Sequence, residues 1–357
     1  MSAPDLPFKS LLVVRLGAMG DIIHTLSAVS ALSNAFPEMR LGWIVEERWA
    51  ELLSATNVPR SGPRSPSRPL VDFLHTVDTK RWRKSLFARE TWKQISAAFR
   101  EVRREKYDVA VDFQGALKSA AIARCAGAET VFGMKHPRET PARIFYSRRV
   151  ATTGAHVIEQ YHSIAEAVAA RPLPRSEVEF PRNDEAKASI AEKLKNLRKD
   201  FVLVTPGAGW AAKQWPAERY GKVAATLSKE GLATLVNFGP GEESLALAVQ
   251  SASRGAAQPI SCSIGELIVL TRGARLFIGG DTGPLHLAAA LRTPVVAIFG
   301  PTDPARNGPY GTRSVVLRNA ASQTSLSHVS TPDPGLLEIT TEQVISAARR
   351  LLGSADA

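Results

Sequence analysis

The chain has 357 residues, 44% of them apolar, and its 45 Lys and Arg against 34 Asp and Glu give a formal net charge of +11. That length is too great for one ordinary domain and suits two, and the apolar share is enough for well-formed cores. Cys125 and Cys262 have neither disulfide nor metal-ligand spacing, so they read as small core residues of a protein from a reducing compartment. No stretch, residues 1–10 included, is apolar for long enough to be a signal peptide or a membrane span, which leaves a soluble protein or one lying on a membrane surface.

Residues 11–14 form an apolar run that predicts a strand, and Leu26, Val29 and Leu32 are spaced for the inner face of a helix over 22–34. Arg15-Leu-Gly-Ala-Met-Gly-Asp21-Ile-Ile-His24 lies between them. Its glycines permit a tight turn and close approach of backbone to a ligand, and Asp21 stands where the helix begins. Two readings of Asp21 stay open: an N-cap, or a reactive carboxylate at the strand's carboxyl end.

A second strand is predicted near 40–45. Residues 57–69 contain four prolines and predict a mobile loop. Beyond it the charge concentrates, with thirteen Lys or Arg against five acids over 60–106. The densest part is Lys80-Arg81-Trp82-Arg83-Lys84, followed by Phe87, Arg89, Trp92 and Lys93, and a helix is predicted over 91–103. Nucleic acid, an anionic membrane face or an acidic substrate could each use such a cluster. A solvated helix with its aromatics packed inward is the plainer alternative. No nucleic-acid fold signature accompanies the cluster, so no nucleic-acid partner is expected.

A strand near 109–112 and a helix over 117–125 continue an α/β alternation with a parallel sheet. Residues 171–181 read as a linker. The alternation then restarts, with strands near 201–204, 233–238, 276–278 and 295–299, and 341–352 predicts an amphipathic helix free to lie on either half. The domain division is thus 1–175, 176–338 and a terminal 339–357 segment. Two doubly wound domains facing one another would set their strand ends around a central cleft.

Three strand-end loops in the second half suit an anionic ligand. Thr205-Pro-Gly-Ala208-Gly209-Trp-Ala-Ala-Lys213 joins glycine-freed amides to a lysine point charge. Gly239-Pro-Gly-Glu242-Glu243 offers a carboxylate suited to ribose hydroxyls, although glutamates favour early helix positions for dipole reasons too. Gly280-Asp281-Thr282-Gly283-Pro284-Leu285-His286 has proline where a helix starts, so first-turn amides can point at a diphosphate.

Seven segments in order resemble one family. They are residues 15–24, 80–84, Val111-Asp-Phe-Gln-Gly-Ala-Leu-Lys-Ser-Ala120, Pro137-Arg138-Glu139 with Phe145-Tyr146, Lys213-Gln-Trp-Pro216, Gly280 to His286, and Phe299-Gly-Pro-Thr-Asp-Pro304. Together they resemble the lipopolysaccharide heptosyltransferases of glycosyltransferase family 9. The resemblance implies a GT-B fold of two Rossmann-like domains, the first binding the acceptor and the second the nucleotide sugar. The implied donor is ADP-L-glycero-D-manno-heptose and the implied acceptor the inner Kdo of Kdo-lipid A, an anion at a membrane face. It implies a cytoplasmic protein peripheral to the inner membrane.

Residue by residue, the resemblance makes Asp21 the base that deprotonates the acceptor. Gly20, Lys80, Arg81, Arg83, Lys84, Gln114, Lys118 and Arg138 become acceptor contacts. Lys213 and the amides of residues 282–285 would stabilise the departing diphosphate without a tightly bound metal. Glu242 would hold the ribose and Asp281 the sugar hydroxyls, with His286 and His24 in supporting roles. Ala208 and Gly209 stand where the family often has threonines, so phosphate contacts there fall to backbone amides. Three rivals remain: a related GT-B transferase using another sugar nucleotide or a later heptose acceptor, a sugar-nucleotide 2-epimerase, and a non-catalytic binding protein.

Overall fold

A computed structural model of the chain describes residues 8–85, 87–197, 199–325 and 330–353. The start of the chain through residue 7 and the last four positions of the 339–357 segment lie outside the described residues. The chain divides into two compact units, Met1–Asn183 and Asp184–Ala357.

The first unit runs β1 (Ser10–Val14), α1 (Met19–Ala35), β2 (Arg40–Glu46), β3 (Phe73–Val77), α2 (Thr79–Lys84), α3 (Arg89–Arg104), β4 (Val109–Asp112), α4 (Leu117–Cys125), β5 (Thr130–Met134), β6 (Arg148–Val150) and α5 (Val157–Ala169). Its sheet has the order β3-β2-β1-β4-β5-β6 with every pairing parallel. β1 and β4 lie at the centre and are buried throughout, as apolar runs covered on both faces must be. Strand order reverses between them, the point where doubly wound sheets bind ligands.

The second unit runs α6 (Asp184–Lys193), β7 (Phe201–Thr205), α7 (Ala217–Lys229), β8 (Ala233–Phe238), α8 (Glu243–Ala252), β9 (Ala257–Ser261), α9 (Ile264–Gly273), β10 (Leu276–Gly280), α10 (Gly283–Ala290), β11 (Val295–Phe299), α11 (Pro304–Asn307), β12 (Ser314–Arg318), α12 (Pro334–Leu337) and α13 (Thr341–Gly353). Its parallel sheet is ordered β12-β11-β10-β7-β8-β9. Read from β9, this is the arrangement of the first unit again, with the reversal between β7 and β10. Val344, Ala347, Ala348 and Leu351 of α13 join the core formed by Val202, Val204, Ile278 and Val296. The helix that the sequence left free to lie on either half therefore belongs to the second.

The expectation of a mobile loop at 57–69 is corrected. Arg68 is buried and donates to the carbonyls of Pro59, Gly62, Pro63 and Val71. Arg64 binds Asp72 and Ser33. Two of the prolines supply carbonyls to the Arg68 guanidinium, and Arg64 ties the loop to Asp72 and Ser33 beside it. Much of the loop's positive charge is thus structural. Residues 172–183 contain no helix or strand, and the Arg182 amide donates to the Pro66 carbonyl at 2.8 Å.

The cysteine reading is corrected as well: Cys125 is exposed and Cys262 partly so, and both are free thiols. Cys125 is the last residue of α4, where it lines the open cavity beside Ile122, which is why its small size did not bury it.

Candidate active site

In the first unit the loops after β1 and β4 are tied together at the strand-order reversal. The Leu16 amide donates to Gln114 Oε1 at 3.0 Å, and Arg15 donates to the Phe113 carbonyl at 2.7 Å. Arg15 is buried, and its other terminal nitrogen meets Asp21 Oδ2 at 2.8 Å. Burial alone would push this guanidinium's pKa down, but Tyr161, Asp21 and Asp112 hold it above its ordinary value. Asp21 is the third residue of α1, and its Oδ2 also accepts the Ala18 amide at 3.1 Å. Ala18 is thus the N-cap, and Asp21 supports the helix start from N3 rather than capping it itself. One oxygen secures the helix start, Oδ1 takes part in neither contact, and the side chain is 43% exposed.

Asp21 opens onto a cavity of about 730 Å³ contained within this unit. Lys80, Arg83, Gln114, Lys118 and Arg138 also line it, as do Glu46 and Arg48. Of the other predicted acceptor residues, Gly20 is buried in the first turn of α1, and Arg81 and Lys84 point to solvent outside the lining. The apolar wall is Trp82, Ile95, Phe99 and Ile122. Trp82 and Phe99 pack against the core, whereas Phe87 and Trp92 are exposed, so the basic segment's aromatics divide between the two readings.

Two distant segments are fixed around Asp112. This fully buried carboxylate ends β4 and accepts from the Gln114 and Gly115 amides, the Ser119 hydroxyl and the Tyr146 hydroxyl, the last at 2.7 Å. Burial raises its pKa despite these four donors. Gly133 lets the Tyr146 ring lie flat on β5, since a Cβ there would stand 2.4 Å from the ring. Gly115, at φ +68°, admits the 137–139 segment. Glu139 then caps α4 by accepting the Leu117 amide at 2.7 Å, which sets Arg138 on the cavity wall.

Glu46 and Arg48 were missed in the sequence. Glu46 is buried at the end of β2, where it accepts from the amide and hydroxyl of Thr79 and faces Lys118 Nζ at 3.8 Å. It holds the first residue of α2 and one cavity lysine together. An acidic residue at the carboxyl end of a predicted strand was the available signal.

The second unit closes its own reversal with a different pair. Lys213 Nζ lies 2.6 Å from Asp281 Oδ2 and 4.2 Å from the Trp210 ring centre, and His286 Nε2 lies 3.1 Å from Asp281 Oδ1. Burial would push the Asp281 carboxyl up, but His286 and Lys213 together hold it well below the usual carboxylate range. Thr282 is the N-cap of α10 and Gly283 its first residue. Pro284 has no N–H, so the donors at this helix start are the amides of Thr282, Gly283 and Leu285.

Glu242 precedes α8 and accepts the Gly239 amide at 2.9 Å. A Cβ on Gly207 would stand within 2.4 Å of its carboxylate, so this side chain reaches the loop after β7. Glu243 is exposed on the helix. Ala208 and Gly209 lie in that same loop, Gly209 with open space beside it. His24 is buried in α1, edge-on to His156 at 5.7 Å.

The family model described as glycosyltransferase family 9 (heptosyltransferase) matches residues 95–333. The chain belongs to glycosyltransferase family 9. It is 29% identical over 314 residues to lipopolysaccharide heptosyltransferase 1 of Pseudomonas aeruginosa, covering 86% of this chain and 83% of the relative. It is 23% identical over 300 residues to lipopolysaccharide heptosyltransferase 3 of Escherichia coli, covering 80% of each. Among solved structures, E. coli heptosyltransferase WaaC with ADP matches at a TM-score of 0.76 and 25% identity, over 96% of this chain and 99% of that one. The fold of this family 9 glycosyltransferase is therefore GT-B, and membership in the family sets aside the epimerase and the non-catalytic binding protein.

Proposed function

We propose that this enzyme transfers heptose from ADP-heptose to the inner Kdo of Kdo-lipid A in lipopolysaccharide core assembly, at the cytoplasmic face of the inner membrane. The observation that carries the reading is the first unit's cavity, where an exposed aspartate stands among Arg48, Lys80, Arg83, Lys118 and Arg138. An acceptor bearing carboxylate and phosphate groups matches those cations. The relative named heptosyltransferase 1 and the solved relative that binds ADP support the donor and the step.

In this reading Asp21 takes the proton of the attacking acceptor hydroxyl while a bond forms at the anomeric carbon and the bond to the diphosphate oxygen breaks, with inversion. Arg15, fixed on the Phe113 carbonyl, orients the carboxylate. Lys213 and the amides at the start of α10 receive the charge of the departing diphosphate. Glu242 takes the ribose, and Asp281 orients Lys213. The reading assigns no resident metal. Among the described residues no three His, Cys, Asp or Glu side chains are grouped to hold one.

The heptosyltransferase 3 relative favours a second reading, a later core heptose as acceptor. One experiment separates them: ADP release from ADP-heptose, measured with Kdo-lipid A, with a heptose-bearing core acceptor, and with neither. Release that needs Kdo-lipid A and disappears in Asp21→Ala, with ADP binding retained, is the expected result. Release only with the heptose-bearing acceptor establishes the second reading, and normal turnover by Asp21→Ala removes the base assignment.

A further inference from the structure

The helices that wall the cavity carry a second feature on their outer side. Phe87 is 103% exposed and Trp92 57% exposed, the two largest aromatic exposures among the described residues. Single exposed apolar side chains are ordinary. Here, however, residues 80–93 hold six Lys or Arg and one acid around these two aromatics. On α3 the inward residues are Thr91, Ile95, Phe99 and Val102, and Trp92 and Lys93 stand outward. Aromatic side chains set among cations on one face of a surface helix have the composition of elements that lie in the lipid–water interface.

We propose that Phe87 and Trp92 insert into the headgroup and upper acyl region of an anionic bilayer, with Lys84, Arg89 and Lys93 resting on its phosphates. The proposal deepens the functional reading above and rests on it for its biological sense. Lys80, Trp82 and Arg83 of α2, with Ile95 and Phe99 of α3, line the cavity, and Trp92 lies on α3 with Phe87 in the turn that joins the two helices, so the inserted side chains sit beside its wall. A lipid-borne acceptor would then meet the cavity at the membrane surface. The charge excess fixes the choice of an anionic bilayer: each cation near such a surface raises partitioning about fivefold, and the aromatics add an apolar contribution that salt does not screen.

The test is co-sedimentation of the full chain with vesicles of phosphatidylcholine, alone and mixed with phosphatidylglycerol. The expected result is binding that requires phosphatidylglycerol and falls at least about tenfold in the Phe87→Ser/Trp92→Ser variant. Both positions are exposed, so the variant keeps its fold, and its turnover on detergent-dispersed acceptor stays at the wild-type level. Lipids brominated on their acyl chains should quench wild-type tryptophan emission more than that of Trp92→Phe. Undiminished partitioning by the double variant, or no vesicle binding by the wild type, overturns the proposal. So does a dimer in sedimentation velocity that the double variant dissolves, which would give the patch to a second copy, or tighter binding of a single-stranded oligonucleotide lost in the same variant. Vesicle binding without any transfer to Kdo-lipid A would leave this proposal standing and remove the functional reading instead.

Discussion

Each unit sets an aspartate and a cation at the reversal of its strand order, and the two pairs are built in opposite ways. At the first, the cation is inside and the carboxylate outside: Arg15 is 4% exposed, Asp21 43%, and both contacts fall on one carboxylate oxygen. At the second, both partners are inside, at 11% and 6%, with Lys213 on one oxygen and His286 on the other. A carboxylate with a free oxygen beside a fixed buried cation can exchange a proton with a ligand without disturbing packing. One closed on both oxygens holds its donors in place, and removing it strands the buried Lys213 charge. The same topological position therefore leaves a carboxylate oxygen open to a ligand in one unit and engages both oxygens with neighbouring side chains in the other.

The largest test of that contrast is Asp21→Asn, which keeps the shape and an acceptor for the Ala18 amide while removing the basic group. Turnover should fall about 10²- to 10⁴-fold with ADP affinity unchanged, and the unfolding free energy should drop by about 1–3 kcal/mol, because buried Arg15 keeps its Phe113 acceptor but loses a charged partner. ADP-release kinetics and urea melts read both. The mirror experiment is Asp281→Ala, which should destabilise the second unit by about 3–5 kcal/mol because Lys213 and His286 lose the carboxylate between them. A variant that melts like wild type would show this pair to be as exchangeable as the first, and the contrast would fail.

What could be read in advance follows from the range of each contact. Asp21, Lys213 and Asp281 announced themselves locally, because a glycine turn after an apolar run marks a strand end whatever the rest of the chain does. The pairing of Lys213 with Asp281 did not, since it spans 68 positions and depends on β7 and β10 lying side by side. Asp112 and Tyr146 were quoted only as fragments of two motifs, and their shared hydrogen bond exists because β4 pairs with β5. Strands β3, β5, β6, β9 and β12 also escaped the sequence reading. β9, with Pro259 and polar neighbours, lacks the continuous apolar run that made the central strands plain. The proline loop was located correctly and misjudged in character, because composition shows Arg64 and Arg68 but not the carbonyls and carboxylate they bind in the fold.

A smaller effect probes the scaffold of the first reversal. Tyr146→Phe removes the 2.7 Å hydrogen bond to Asp112 and leaves Ser119 alone on that oxygen. The expected loss is about 1–2 kcal/mol in urea unfolding, because a buried carboxylate oxygen forfeits a donor. The acceptor KM should rise through Gln114, whose amide is held by the same carboxylate, and ADP binding in the other unit should not change. Equal damage to ADP affinity would mean that the two reversals are not independent.

The smallest expected effect is in pH, and it separates the units by where each loses stability in acid. In the first, His75 is buried on β3, with Nδ1 3.0 Å from Glu101 and Nε2 2.9 Å from the Tyr107 hydroxyl. Burial pushes its pKa below the ordinary value, and Glu101 opposes that shift without reversing it. As pH falls the unfolded chain takes the proton first, so stability from neutral His75 is intact above the unfolded value of about 6.5 and is lost as pH drops through the folded one. The Asp281 shift has the same direction in a lower window: its contribution is present above the unfolded value of about 3.9 and disappears only in stronger acid. Thermal melts stepped from about pH 8 to about pH 5 should therefore show a modest decline that His75→Gln flattens and Asp281→Asn leaves in place. A decline removed by Asp281→Asn instead would mean that the closed pair, not the buried imidazole, titrates first, and the division of labour between the two units would have to be redrawn.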